Sequence, residues 1–186
     1  MRLKIRAFAF TLVLAVALAA VGSKANAELK HFQAPGIFNY TLLTGASGNA
    51  GPVVGFGGAT KPAALAWLKG EGFATVINLR LASEDGVDIH AARIAADAAG
   101  LTYIHLPFDA KKPDADLIEN FIAAVGNRAN QPVYIHCHSA TRAAALWMIE
   151  RVRRDGLDID EARSEVKTIA EKPDEAIAFA TSVLSK

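Results

Sequence analysis

The chain has 186 residues, 52% of them hydrophobic, and a formal charge of +1. A length of this order builds one domain with a substantial core and leaves no room for a second full domain. Part of the basic total is Arg2, Lys4, Arg6 and Lys24, so the rest of the chain is acidic on balance, which argues against a nucleic-acid partner, and the single cysteine, Cys137, excludes an internal disulfide.

Residues 1–27 read as a secretory signal: a basic start, an apolar stretch from Ala7 to Val21, and a small-x-small cleavage site at Ala25-Asn26-Ala27. The apolar stretch is shorter than the ~20 residues that span a bilayer, so cleavage rather than stable membrane insertion is expected. The mature protein, residues 28–186, is expected to be one exported, periplasmic domain. A lone cysteine kept in an oxidising compartment, where thiols usually pair, calls for an explanation.

Residues 28–58 carry the weakest pattern, with Phe38 to Leu43 and Val53 to Phe56 as short strands around a Gly/Ala/Ser loop. From Thr60 onward, short runs rich in β-branched residues alternate with amphipathic helical patterns, which predicts an α/β fold, a three-layer αβα domain around a mainly parallel sheet. Thr60 is placed to cap a helix over 61–69, and Thr75 to Leu79 follows as a buried strand. Ala91, Ile94, Ala95 and Ala98 share one helical face, Leu101 to Leu106 is the next strand, and Ile118, Phe121, Ile122 and Val125 mark another helix. Pro132 to His136 is an interior strand that runs directly into Cys137. Three more helical stripes complete the chain, over Ala145 to Val152, Ile159 to Val166 and Ala176 to Val183.

The chemistry concentrates where that last strand meets its helix, at His136-Cys137-His138-Ser139-Ala140-Thr141-Arg142. A tight loop between a strand and a helix N-terminus turns successive N–H groups inward, the helix end adds partial positive charge, and an arginine at its start offers a planar fork of donors to an oxyanion. Such a field also favours a thiolate over a thiol, so Cys137 is the candidate nucleophile, expected to be accessible, in an anion-binding loop of His138, Ser139, Ala140 and Thr141. Asp109 follows the strand ending at Leu106 and falls at the carboxyl edge of the sheet, where Cys137 also emerges and where a proton donor belongs. Asp114 and Asp116 compete for that role, although Pro113-Asp114-Ala115-Asp116 reads as a helix start with one of them a cap.

The His-Cys pair ending a strand, with an arginine at the start of a helix, resembles the cysteine-dependent phosphatase superfamily of tyrosine and dual-specificity phosphatases. Phe56-Gly57-Gly58-Ala59-Thr60, Thr75 to Arg80 with Glu84 beyond, and His105-Leu106-Pro107-Phe108-Asp109 extend the likeness. In this order they resemble the phosphatase-like domain of the beta-lactamase-hydrolase-like proteins. The resemblance implies a phosphohydrolase working through a phospho-cysteine, with Cys137 as nucleophile, Arg142 as oxyanion clamp and Asp109 as general acid on a movable loop. Its substrate would be a phosphorylated small molecule or a phosphoprotein, and no cofactor is implied.

The loop departs from the phosphatase pattern in three ways. Arg142 follows Cys137 by five positions instead of the usual six, Ala140 lies where such loops carry glycine, and Ala143 replaces the usual Ser or Thr. The shorter spacing also resembles rhodanese sulfurtransferases, which leaves a Cys137 persulfide enzyme as an alternative, and a non-catalytic anion-binding protein as another. His105, His136 and His138 could be imagined as a metal site; hydrogen bonds that orient the loop are the simpler reading, with His136 in support, and no metal is expected. Arg80 and Glu84 read as an ion pair covering a strand end. Arg151, Arg153, Arg154 and Asp155 read as a solvated helix face.

Overall fold

Residues 28–44 and 54–186 are described in the computed structural model of the chain. The expected signal segment and the Gly/Ala/Ser loop lie outside the described residues. Strands β1 (Glu28–Ala34), β2 (Ile37–Thr44), β3 (Val54–Gly57), β4 (Thr75–Asn78), β5 (Thr102–His105) and β6 (Val133–His136) form one sheet in the order β1-β2-β3-β6-β4-β5. β3, β6, β4 and β5 pair in parallel, whereas β1 and β2 add an antiparallel hairpin at the β3 edge. Helices α1 (Ala64–Gly70) and α2 (Ile89–Ala99) pack on one face. On the other are α3 (Ala115–Gly126), α4 (Thr141–Arg153), α5 (Ile159–Ile169) and α6 (Pro173–Leu184). The expected three layers and mainly parallel interior are therefore present, while the sheet as a whole is mixed.

Strand β6 lies at the centre because it is apolar on both faces. Val133 and Ile135 join the α3–α6 core, and Tyr134 joins the smaller core under α1 and α2. Of the described helices, none is long and apolar enough to cross a membrane. Three helices begin on aspartates whose carboxylates accept from backbone N–H groups of the first turn: Asp88 for α2, Asp114 for α3 and Asp158 for α5. Thr60 does not cap α1, which starts later at Ala64; its hydroxyl bonds to the Gly58 carbonyl and the Tyr134 hydroxyl instead, because a buried phenol needs a partner. The charge run on α4 is only partly solvated. Arg151 is buried, lies over the Trp147 ring at 5.5 Å, and pairs with Glu165 of α5, whose carboxylate also accepts from the Trp147 indole.

Gly57, at the end of β3 beside the loop after β6, is kept as glycine by crowding: a Cβ there would collide with the Tyr134 hydroxyl and stand 2.9 Å from Ile37. Gly57→Ala is expected to lower stability by about 2 kcal/mol through overpacking, read as an earlier midpoint in urea without a change in slope.

Candidate active site

Five residues, Cys137 to Thr141, carry the chain from β6 to the arginine on the first turn of α4, and three of their backbone groups are tied to neighbouring segments. The Cys137 N–H donates to the Gly57 carbonyl at 3.2 Å. The His138 carbonyl accepts from the Ala59 N–H at 2.7 Å, and the Ser139 carbonyl from the Glu171 N–H at 3.3 Å and from Asn39 Nδ2 at 3.4 Å. In a planar trans peptide the C=O and the following N–H point in opposite directions. The outward His138 carbonyl therefore turns the Ser139 N–H toward the inside of the loop, while the Ala140 N–H, opposite the outward Ser139 carbonyl, faces the Gly57 carbonyl across the antiparallel bridge between Gly58 and Ser139. Helix α4 then begins at Thr141 with no side-chain cap on its first turn, which leaves its N–H groups and its dipole facing the same space. The Thr141 hydroxyl is occupied elsewhere, bonded to the Ser139 hydroxyl at 3.0 Å and accepting from the Lys172 N–H.

Ala140 has φ +65° and ψ −4°. The left-handed conformation for which these loops use glycine is thus required here as well, and it costs an alanine about 1 kcal/mol. The residue is fully buried, with neighbours that hold it in place.

Cys137 lies on the floor of the loop at 1% exposure, within the larger core, and this corrects the expectation of an accessible thiol. The residue directly continues the fully buried strand β6 and is grouped with the apolar side chains under α3 to α6. The open groove beside it runs over Phe38, Lys61, Pro62, Arg80 and His138 rather than over Cys137. Arg142 reaches back across the sheet edge. Its Nη1 donates to Glu84 Oε1 at 2.7 Å and to the carbonyls of Phe108 and Leu79, and its Nη2 donates to Glu84 Oε2 at 3.0 Å. Burial disfavours its charge, but the Glu84 bond and the nearby Cys137 sulfur outweigh that and raise its pKa.

Glu84 is the residue that sequence reasoning placed only in part. The expected Arg80–Glu84 pair is present at 3.0 Å, yet the same carboxylate forks onto Arg142. Burial pushes its pKa up, and the bonds from Arg142, the Leu81 N–H and Arg80 overcome this and hold it at about 2. The spacing of Arg80 and Glu84 announces their pairing; nothing local announces a partner 58 residues away. His136 is buried and stacked on Tyr134, and burial followed by the Arg80 charge holds its pKa down to about 4, so it is neutral at pH 7. His105 bonds to the Arg80 carbonyl, and His138 Nδ1 stands 3.5 Å from Arg80 Nη2. Asp109 directly follows Phe108, whose carbonyl is held by Arg142. Its Oδ1 accepts from the Lys111 N–H, which makes it the first residue of a turn. Asp114 is committed to capping α3.

Residues 53–153 match the family described as beta-lactamase hydrolase-like protein, phosphatase-like domain. No curated protein matches the chain in sequence. Among solved structures, a DUF442 protein of Shewanella putrefaciens CN-32 superposes with a TM-score of 0.61 at 21% identity, covering 81% of this chain and 91% of that one. TpbA of P. aeruginosa gives 0.60 at 20% identity, covering 86% and 91%. The core catalytic domain of the PP-IP phosphatase SIW14 from S. cerevisiae gives 0.57 at 14% identity, covering 69% and 78%. At these identities the likeness is one of fold.

Because Glu84 has a folded pKa of about 2 against an ordinary 4.5, its contribution to stability is complete above pH 4.5 and is lost as the pH falls toward 2. Glu84→Gln is expected to be about 2 kcal/mol less stable than the parent at pH 7, from weakened charged hydrogen bonds. That gap should shrink progressively in urea titrations between pH 4.5 and 2.

Proposed function

The chain belongs to the phosphatase-like domain family of the beta-lactamase hydrolase-like proteins, a cysteine-dependent phosphatase-like hydrolase, and on that premise we propose that it hydrolyses a phosphate monoester through a phospho-cysteine on Cys137. The observation that carries this reading is the loop itself: outward carbonyls, an uncapped helix start, and Arg142 close to the sulfur. Inward N–H groups, the helix dipole and a guanidinium converge on one small volume, an arrangement suited to a transferring phosphoryl group.

In the proposed reaction the Cys137 sulfur attacks phosphorus, the S–P bond forms and the ester P–O bond breaks. The leaving oxygen takes a proton from Asp109, whose Oδ2 is the oxygen not used in the turn. Water then attacks the phospho-cysteine, gives its proton back to Asp109, and releases inorganic phosphate and the thiolate. Arg142 holds the phosphoryl oxygens, and Glu84 holds Arg142. His136, neutral and buried, fixes the strand end and supplies no charge. The substrate belongs to the phosphorylated small molecules or phosphoproteins, and the site of action is the periplasm after removal of residues 1–27. Two structural neighbours support a phosphorylated substrate: one is TpbA solved with phosphotyrosine, the other the PP-IP phosphatase SIW14.

A second reading, sulfur transfer through a Cys137 persulfide, draws on the four-residue gap between Cys137 and Arg142 and on the buried sulfur, which suit a smaller ligand. Intact mass spectrometry after exposure to p-nitrophenyl phosphate and, separately, to thiosulfate separates the classes. A phosphoryl adduct that Cys137→Ser abolishes is the expected result; a persulfide with no phosphoryl adduct would transfer the assignment to the second reading, and neither adduct would leave an anion-binding protein. Asp109→Asn is expected to slow hydrolysis of alkyl phosphates by about 100-fold and of p-nitrophenyl phosphate far less, the pattern of a general acid. Equal losses on both esters would remove Asp109 from that role.

A further inference from the structure

The hairpin β1-β2 lies outside the family-matched segment 53–153, and so does the junction between α5 and α6, yet both reach the loop. Their meeting point is Asn39. Phe32 pairs with Tyr40 and Ala34 with Ile37, so Phe38 and Asn39 of β2 oppose the single residue Gln33 of β1, a β-bulge. Asn39 carries the positive φ of that bulge, +50°. Bulges of this kind re-aim side chains, and a non-glycine residue held at positive φ points to a role. Here the bulge turns the Asn39 amide off the sheet. Nδ2 donates to the Ile169 carbonyl at the end of α5 at 2.9 Å and to the Ser139 carbonyl at 3.4 Å. The Phe38 backbone docks against Gly58 and Ala59, and Ala59 in turn holds the His138 carbonyl.

The Ser139 carbonyl belongs to the peptide that precedes Ala140. Rotating that peptide by half a turn would carry φ of Ala140 from +65° to a negative value, relieving its strain, and would reverse the Ser139 carbonyl from the outside of the loop toward its inside. Alanine therefore gives this loop a built-in drive to turn a carbonyl inward, where it would repel an anion, a drive glycine would not have. The rotation is opposed by the two donors on the Ser139 carbonyl, Asn39 Nδ2 and the Glu171 N–H, and by the Gly57 carbonyl that faces the Ala140 N–H. We infer that Asn39 is a positioning residue that locks the Ser139–Ala140 peptide with its carbonyl turned away from the anion, in place of the conformational freedom of the missing glycine. This rests on the reading of the loop as an oxyanion cradle and goes beyond it in assigning a role to a residue on the added hairpin.

The test is a double-mutant cycle read by tungstate affinity, measured by titration calorimetry at neutral pH, so that turnover is not required. Asn39→Gly keeps the backbone conformation and removes only the amide. It is expected to weaken tungstate binding about tenfold in the parent and twofold or less in the Ala140→Gly background, where the strain that drives the rotation is gone. In phosphate-ester kinetics the same substitution should lower kcat with little change in KM. If Asn39→Gly does not fold, Asn39→Asp, which tolerates positive φ but cannot donate, replaces it; its added charge acts in both backgrounds and cancels in the cycle. Equal losses in the two backgrounds would make Asn39 a general structural support and overturn the inference, as would no loss in either. A parent that binds tungstate but hydrolyses no ester would refute the hydrolase and leave the positioning role standing. A parent that hydrolyses esters without coupling between the two positions would do the reverse, and one that binds no tungstate would refute both.

Discussion

Five residues must take the chain from the end of β6 to the arginine on α4 while keeping the His138 and Ser139 carbonyls on the outside, and this constraint shapes the rest of the site. A strand delivers the chain along the sheet, a helix must leave it, and a turn this short has few backbone conformations available. One residue has to adopt positive φ, and in this chain it is Ala140. The cost falls on the surroundings, which hold the loop through its carbonyls: Ala59 after β3, Asn39 on β2, and Glu171 after α5. In the His138–Ser139 peptide the outward carbonyl and the inward donor are two descriptions of the same plane.

The charges are arranged with similar economy. Arg142 is aimed by a carboxylate it shares with Arg80, and its remaining bonds run to the carbonyls of Leu79 and Phe108 at the ends of two neighbouring segments. One side chain thereby joins the loops after β4, β5 and β6 at the carboxyl edge of the sheet, the edge where parallel α/β folds place their ligands. Glu84 neutralises part of the cationic field, so the site presents directed donors more than bulk positive charge. That fits a substrate group recognised by geometry.

The antiparallel hairpin has a place in the same scheme. Added to the edge of a parallel sheet, β1 and β2 would otherwise be a marginal pair of strands. Their buried residues Ile37, Tyr40 and Leu43 divide between the two cores, which fixes the register, and the bulge at Phe38 and Asn39 is where the strand stops following the sheet and turns to the loop. Segments on both sides of the family-matched part thus support a loop that lies within it.

The sequence by itself determined what depends on local pattern. Period and punctuation were sufficient for the α/β class, the interior strands within Thr75 to Leu79 and Pro132 to His136, and a cap at Asp114 or Asp116, because each is written in consecutive residues; the structure chose Asp114. The strand-loop-helix at Cys137 was legible for the same reason, and with it the suspicion attached to Ala140. Tertiary structure alone decided what depends on partners distant in the chain: that Glu84 forks onto Arg142, that Thr60 serves the Tyr134 phenol rather than α1, that Arg151 is buried against Trp147, and that Cys137 is covered. Asn39 is the clearest case. An asparagine in a weakly patterned segment carries no sign that a bulge will turn it toward residues 100 and 130 positions away, since those carbonyls acquire a direction only when the loop and α5 have folded around them.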